Sequence, residues 1–340
     1  MMMFLIDFLK FGILPGVLYV VWFSIVLSWF LRKMVARLEN RVGPPFNQPA
    51  YDITKLMAKQ RVYPRESNRW ILHYIPRAQL AIALLMSFFI PVINYKGLLS
   101  FSGDLYFFLF LLALHGSTAF FVGWASKNTY TLSGAGRAVL TEISFEIPLA
   151  ISLAGMSIMT GQIRISEMCR HIWGELFNTS NDAFSWVNLF YLIPWMILLI
   201  TSLYSVIGAL ELNPFSAAHA ETEIVGGWTT ELTGSDLAMT KFADIINLFN
   251  LGGLIVAIFL GGPLVIATSS SFSFLSLVII SVALIVFMIK MLFVVFIISF
   301  IVTLSSRLRI DQITSMLWSI FLPASMLSIL LVISIQALGG

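Results

Sequence analysis

Two glutamates inside an apolar run are the residues whose type and spacing most directly suggest chemistry. Glu142 and Glu146 lie four residues apart, which places both on one face of a helix. Burial and mutual repulsion disfavour ionisation of both carboxyls, so the pair predicts a shared, transferable proton. Pro148 lacks an amide hydrogen, which leaves the carbonyl of Ser144 free to hold water near Glu146. A static ion pair between Glu142 and Arg137 is the alternative.

A second concentration of carboxyls lies in residues 211–244, between two long apolar runs. This stretch holds six of the seventeen acidic residues: Glu211, Glu221, Glu223, Glu231, Asp236 and Asp244. Each carboxylate that approaches hydrocarbon costs about 2.5 to 3.5 kcal/mol on insertion scales. The sequence therefore predicts that the stretch uses these charges or compensates for them.

Two lysines near these carboxyls also need an explanation. Lys241 precedes Asp244 by three residues, and this intrahelical spacing suits either a charge-neutralising pair or a place in the proton path. Lys290 stands alone within a later apolar run, from which it cannot easily reach water. A buried salt bridge and a place in a proton relay are both consistent with Lys290.

The composition identifies the kind of protein that holds these groups. Hydrophobic residues make up 59% of the chain and charged residues 11%, with a mean hydropathy of +0.92. These values, with recurring apolar runs of about twenty residues, predict an all-α polytopic membrane helix bundle that forms one domain over residues 1–340. The single Cys169 excludes a disulfide within the chain and a cysteine-ligated cluster. The four histidines lack metal-site spacing, so no cofactor or metal is expected in this chain.

The apolar runs predict about eight transmembrane helices. We place them at 12–31, 78–94, 105–125, 138–160, 187–210, 240–260, 274–304 and 314–337. If the first helix runs inward, fourteen basic residues fall on the cytoplasmic connections and four on the opposite face. The positive-inside rule then places both termini outside the cell membrane and the loops 32–77 and 211–239 on the cytoplasmic side. Because topology accounts for the basic residues, no nucleic-acid partner is expected.

The first of these loops is too long for a simple turn. Prolines and Gly43 interrupt it, and the segment DITKLMAKQ that follows has the pattern of a short amphipathic helix. Such a helix either lies on anionic lipid headgroups or forms a docking surface for a cytoplasmic partner.

Several stretches carry a family resemblance. In RVGPPFNQPAYDITKL the matching residues are Arg41, Gly43, Pro44, Gln48, Pro49, Asp52 and Lys55. In GRAVLTEISFE, Glu146 occupies a glutamate position and Phe145 replaces a tyrosine. In the acidic stretch they are Pro214, Phe215, Glu221, Glu223, Gly227, Thr230, Glu231 and Gly234. Together with a weaker match in RLRIDQITSMLWSIFLP, these stretches resemble membrane subunit 1, or H, of respiratory complex I, which joins the peripheral arm to the membrane arm.

The resemblance implies a role in coupling. In such subunits, glutamates of neighbouring helices and the acidic loop form a hydrated path, whose protonation responds to redox chemistry in docked subunits. By position the members here are Glu146, Glu211, Glu221, Glu223, Glu231 and Asp244, to which the residue arguments above add Glu142 and Lys290. Contact with peripheral subunits falls to Arg41, Gln48, Asp52 and Lys55. Antiporter-like membrane subunits and the lipid bilayer are the other expected partners.

Departures from the family pattern indicate a branch of the family. Asn213, Ser216, His219 and Leu232 replace the residues usual at these positions, near the region that faces the quinone head in complex I. They are closer to membrane-bound nickel-iron hydrogenases and sulfur-reducing complexes fed by ferredoxin. The expected partners are therefore hydrogenase-like large and small subunits with iron-sulfur clusters and, in that branch, a nickel-iron site. A quinone-site subunit of a complex I-type dehydrogenase and a stand-alone proton-coupled transporter are the alternatives.

Overall fold

The computed structural model describes residues 16–177, 186–219, 221–263 and 274–339. Its main helices, in chain order, are α1 (Val17–Leu38), α2 (Gln48–Ala58), α3 (Arg69–Ser87), α4 (Asp104–Ser126), α5 (Thr129–Thr160), α6 (Ile165–Phe177), α7 (Trp186–Ala209), α8 (Gly234–Phe259), α9 (Phe274–Leu304), α10 (Ile310–Met316) and α11 (Leu322–Gly339). Short helical turns lie at Ser216–His219, Glu221–Ile224 and Gly227–Thr229, and a π-helical turn, Leu317–Phe321, joins α10 to α11. The described ranges contain no strand, so the all-α prediction is confirmed.

Seven helical segments of the described chain are long and apolar enough to cross a bilayer. They are α1, α4, α5, α8, residues 190–209 of α7, residues 280–304 of α9, and residues 310–337 through α10 and α11. Their bounds agree with the predicted spans to within a few residues, with three exceptions: α1 ends at Leu38 rather than 31, α5 begins at Thr129 rather than 138, and α8 begins at Gly234 rather than 240. Residues 12–15 of the first predicted span lie outside the described residues.

One predicted span, 78–94, is not among these seven segments, and it falls on α3. This helix begins earlier than predicted and carries Arg69, His73 and Arg77 in its first turns, which lowers its apolarity. It nevertheless runs beside α8, because Arg77 contacts Asp236 near the start of α8, and a Cβ added at Gly253 would lie 2.7 Å from the side chain of Ile90, just past the end of α3. The polar first turns of α3 thus account for the difference between eight predicted helices and seven.

Helix α8 is the centre of the bundle. It packs against α1, α2, α3, α6, α7 and α9, and nearly every side chain from Ile245 to Phe259 is buried. Asn250 donates a hydrogen bond from Nδ2 to the carbonyl of Ala83 on α3, at 2.8 Å. On the other side of the molecule, α5 packs against α4, α7 and α11. The two helices that carry most of the predicted site, α5 and α8, are therefore held by the surrounding helices.

The loop between α7 and α8 folds back onto α5 instead of extending away from the bundle. Gly227 adopts a left-handed φ of +64°, which turns the backbone. The turn lies directly against Gly134 of α5, where an added Cβ would come within 2.6 Å of the Trp228 amide nitrogen. Close backbone packing therefore holds this loop against α5.

Helix α6 lies between the predicted spans 138–160 and 187–210, in a region for which the sequence predicts no helix. Ile165, Met168, Cys169 and Ile172 are nevertheless buried. The helix starts where the carboxylate of Asp104 accepts a hydrogen bond from the amide of Ile165, at 2.9 Å. This long-range contact explains why the sequence alone gave no sign of the helix.

Candidate functional site

A cavity of about 610 Å³ extends from α1 and α2 to the buried faces of α4, α5 and α8. Partly exposed side chains of Arg32, Asp52 and Lys55 stand at its mouth. Deeper in, it is lined by titratable and polar groups from five parts of the chain: Gln79, His115, Glu142, Glu211, His219, Lys241, Asp244 and Asn247. The folded chain thus gathers into one space predicted site residues that lie as far apart in sequence as Asp52 and Asp244.

The mouth of the cavity is built by α2. Asp52 accepts a hydrogen bond from Nε2 of Gln48 at 2.9 Å and forms a salt bridge with Arg32 of α1 at 2.8 Å. Ile53, the next residue, is buried, also lines the cavity, and anchors α2 to the bundle. Of the four predicted contact residues, Gln48 and Asp52 therefore hold α2 in place, Lys55 lines the mouth, and Arg41 is exposed on the segment before α2.

Glu142 lies at the inner end of the cavity. Its carboxyl packs directly on Gly116 of α4, so closely that a Cβ added to Gly116 would overlap it, at 1.7 Å from Oε1. Arg137, the alternative partner considered for Glu142, forms an ion pair with Glu223 instead. The carboxyl of Glu142 is thus held against a helix notch inside the cavity.

Glu146 is one helical turn further along α5 and does not line this cavity. Its carboxyl interacts electrostatically with that of Glu142, as does the carboxyl of Glu211. The predicted pair is therefore in place, and Glu142 is the member that connects it to the cavity.

Glu211 and His219 form an ion pair at the start of the acidic loop. Burial alone would raise the pKa of Glu211, but the charge and hydrogen bond of His219, together with Lys241, bring that pKa below its usual value. Burial alone would lower the pKa of His219, and the adjacent carboxylate of Glu211 raises it above the usual value instead. The pair therefore favours a carboxylate beside an imidazolium.

Lys241 and Asp244 face the same cavity from the first turns of α8. Their side chains lie 3.8 Å apart, as the three-residue spacing predicted. Both groups interact electrostatically with the Glu211–His219 pair. Two positive and two negative groups therefore meet here, and a proton that leaves one of them changes the field at the other three.

Three buried polar atoms that line the cavity lack a hydrogen-bond partner among the described residues: Oε1 of Gln79, Nε2 of His115 and Oδ1 of Asn247. A buried polar atom without a partner costs about 1 to 3 kcal/mol, and water satisfies such atoms where a cavity is polar and roomy. Since one water occupies about 30 Å³ in the liquid, a cavity of this size has room for a connected file. The arrangement suits proton exchange between side chains through water.

Glu223 and Glu231, two further predicted acids of the loop, do not line the cavity. Glu223 pairs with Arg137, and Glu231 accepts a hydrogen bond of 2.5 Å from Nδ2 of Asn128, the residue that caps α5. These contacts tie the loop to the first turns of α5. The side chain of Glu221 lies outside the described residues.

Lys290 is far from the cavity. Its ammonium donates 2.7 Å hydrogen bonds to the carbonyls of Leu260 and Gly262, which follow the last turn of α8. Asp244 lies near the other end of α8, roughly 24 Å away at 1.5 Å per residue. In place of the expected carboxylate partner, Lys290 has the negative end of a helix dipole.

Sequence reasoning missed the polar residues of the apolar helices. His115 was considered only as a possible metal ligand, and Gln79 and Asn247 were not singled out. Each of these three residues is a polar side chain within an apolar run. A polar residue in such a run usually has a hydrogen-bonding role inside the membrane, and this pattern could have identified them. Gly116 could not be identified from the sequence, because its role is to leave room for the carboxyl of Glu142 on the neighbouring helix α5.

Comparisons with known proteins show which family and fold this chain is similar to. The family model described as NADH dehydrogenase matches residues 12–333. The chain is 28% identical to the H subunit of the NADH-quinone oxidoreductase of Brevibacillus brevis, with 89% of this chain and 85% of that protein covered. It is also 28% identical to the corresponding protein of Bacteroides thetaiotaomicron, with 98% and 92% covered.

One solved structure with a similar fold is a chain of the membrane-bound sulfane sulfur reductase, an archaeal respiratory membrane complex. The TM-score is 0.79 at 22% sequence identity, and the match covers 98% of this chain and 100% of that one. The similarity establishes a shared helical architecture.

Proposed function

The chain belongs to the NADH dehydrogenase family, as a membrane subunit of the complex I type, and from this premise we propose that it couples electron transfer in a docked module to ion translocation. The observation that carries this proposal is the cavity, which runs from the outer face of α2 to the carboxyl of Glu142. A change of charge near the mouth would alter the protonation of the Glu211–His219 pair and then of Glu142. The effect would be carried by electrostatic interaction and by proton transfer through water, so it requires no redox group in this chain.

An exposed apolar surface outside the spanning helices supports the docking of a peripheral subunit. Large hydrophobic side chains are exposed around α2 at Val42, Phe46, Tyr51, Met57 and Val62. Exposed apolar clusters of this kind mark protein contacts. With the basic residues of the same region, which the positive-inside rule places in the cytoplasm, this surface suits a cytoplasmic iron-sulfur protein.

The residues that depart from the family pattern favour a hydrogenase-like or sulfur-reducing branch. Ser216 donates a hydrogen bond to Oδ1 of Asn213 at 2.5 Å and accepts one of 2.9 Å from Arg307. His219 is paired with Glu211, and Leu232 is buried. The three polar side chains thus have partners within the chain, and the apolar Leu232 has no group that could bind the oxygens of a quinone head.

This branch assigns the partners and the location. We propose that hydrogenase-like large and small subunits, with iron-sulfur proteins and a nickel-iron site, dock on the α2 face. Antiporter-like membrane subunits then receive the protonation change from Glu142 and Glu146. The complex lies in the cell membrane with both termini of this chain outside, where the basic-residue distribution places them.

A quinone-site role is the second candidate, because the similar bacterial subunits are named as parts of NADH-quinone oxidoreductases. A cavity of about 610 Å³ is also within the usual range for small-molecule sites. A quinone would enter past Arg32 and Lys55 and place its head near His219. The two candidates differ in the electron acceptor and share the coupling role.

Purification of the tagged chain from its own membranes distinguishes the candidates. We expect it to bring along antiporter-like subunits, iron-sulfur proteins and a large subunit whose sequence contains nickel-ligating cysteines. A large subunit without these cysteines, together with inhibition by quinone analogues, would establish the quinone role instead. A chain that purifies alone and transports a solute would contradict both and identify a transporter.

A further inference from the structure

His115 occupies a position in the cavity wall that packing alone does not explain. It lies on α4 with only 6% of its surface exposed, directly before Gly116, on which the carboxyl of Glu142 packs. Its Nε2 is buried and has no hydrogen-bond partner in the part of the chain that the structure describes. A histidine that serves only to fill space in a membrane normally has both ring nitrogens satisfied by neighbours.

The charged groups that share the cavity with His115 come from several elements. Glu142 is contributed by α5, Glu211 and His219 by the loop, Lys241 and Asp244 by α8, and, at the mouth, Arg32 by α1 and Asp52 and Lys55 by α2. His115 interacts electrostatically with Glu211, the carboxylate of the ion pair. It therefore lies in the same space as both the ion pair and the inner carboxyl.

Imidazole chemistry suits such a position. A neutral imidazole carries one acceptor nitrogen and one donor nitrogen, and histidine is the side chain whose ordinary titration lies nearest to neutral pH. The ring can take up a proton at one nitrogen and release a proton from the other without moving away. A side-chain amide does not titrate near neutral pH and offers no such pair of sites.

We propose that His115 is a proton-transfer residue that connects the Glu211–His219 end of the cavity with Glu142. In one step the neutral ring accepts a proton from a protonated donor or water of the cavity and becomes imidazolium. In the next it gives a proton to the ionised carboxyl of Glu142, and the ring returns to its neutral form. One proton is transferred in each step and no electron moves. The inference rests on the coupling role proposed above.

The test uses the assembled complex in vesicles and measures ions translocated per electron. His115→Ala is expected to lower this ratio roughly tenfold or more, since positioned proton-transfer groups typically contribute 10² to 10⁴ in rate. Because the cavity reaches the site, added imidazole should restore much of the ratio. Pyrrole has the same ring size without a basic nitrogen, and it should restore nothing.

His115→Gln provides a second variant, because it keeps a hydrogen-bonding side chain and lacks a titrating ring. It is expected to assemble and to be as uncoupled as His115→Ala. Full coupling in either variant, restoration by pyrrole as well as imidazole, or no restoration by imidazole would each overturn the proposal.

Glu142→Gln in the same assay separates this inference from the coupling role on which it rests. If Glu142→Gln uncouples the complex and the His115 variants do not, His115 has no part in the path and the coupling role stands. If Glu142→Gln also leaves the ratio unchanged, the coupling role itself fails.

Discussion

Glu142 owes its position to the absence of a side chain at Gly116. A Cβ at Gly116 would lie 1.7 Å from Oε1 and 2.0 Å from Cδ of Glu142. The overlapping atoms are the end of a flexible side chain, which can turn away at little cost. We therefore expect Gly116→Ala to leave the fold intact, move the carboxyl, and reduce ion translocation without loss of electron transfer to an artificial dye.

A double-mutant cycle shows whether Gly116→Ala acts through Glu142. In a Glu142→Gln background the added methyl group should have no further effect on the ion-to-electron ratio. Fully additive losses would mean that Gly116 affects coupling by another route.

The Glu211–His219 pair predicts a pH dependence for the acidic loop. His219 has a raised pKa in the folded protein, so its contribution to stability is complete below its ordinary value of about 6.5 and is lost as the pH rises through the raised value. Glu211 has a lowered pKa, so its contribution is present above its ordinary value and is lost as the pH falls through the lowered one. The loop should therefore be most stable at a pH between the ordinary pKa of glutamate and the ordinary pKa of histidine.

Hydrogen exchange of residues 211–219 in the purified complex, corrected for the intrinsic effect of pH, measures this dependence. Protection should decline as the pH rises above about 6.5. Glu211→Gln removes the partner of His219, so its protection should be lower and should no longer decline over the same range. Equal pH profiles for the two proteins would contradict a stabilising ion pair.

At the scale of elements, the loop between α7 and α8 depends on a close approach to α5. A Cβ at Gly134 would meet the backbone of Gly227 and Trp228 at 2.6 to 2.8 Å, and this backbone has little freedom to retreat. Gly134→Ala should therefore destabilise the loop by about 1 to 3 kcal/mol, which is roughly 5- to 150-fold in hydrogen-exchange protection. The effect should appear in residues 226–232.

Gly136→Ala is the matched control, since nothing lies within 4 Å of its added Cβ on the same helix. It should leave the protection of residues 226–232 unchanged or slightly improved. The account of the loop is wrong if the two alanine variants behave alike.

Most of the elements could be predicted from the sequence because long apolar runs specify spanning helices almost by length alone. The bounds of α4, α7 and α9 followed from this rule, as did the end of α8. The rule failed for α6 and for the start of α3, where buried contacts such as the one from Asp104 to Ile165 stabilise polar helical turns. No local pattern shows such contacts before the chain is folded.

At the scale of the whole molecule, the sequence revealed the carboxyls and left their arrangement open. Charge in an apolar setting identified Glu142, Glu211 and Asp244, which line one cavity, and also Lys290, which caps α8 at a distance from it. The carboxyls and Lys290 differ in where their helices place them, and this depends on how the helices pack against one another in the folded chain. The parts played by Gly116 and the proposed role of His115 likewise required the packing of α4 on α5.

Coupling through the cavity is measured by the ratio of ions translocated per electron in vesicles that contain the assembled complex. Glu167→Gln is the control, because Glu167 is paired with Arg164 on a partly exposed surface and does not line the cavity. We predict that Glu142→Gln keeps artificial-dye activity and loses most of the ratio, while Glu167→Gln keeps both. A full ratio in Glu142→Gln would contradict the account.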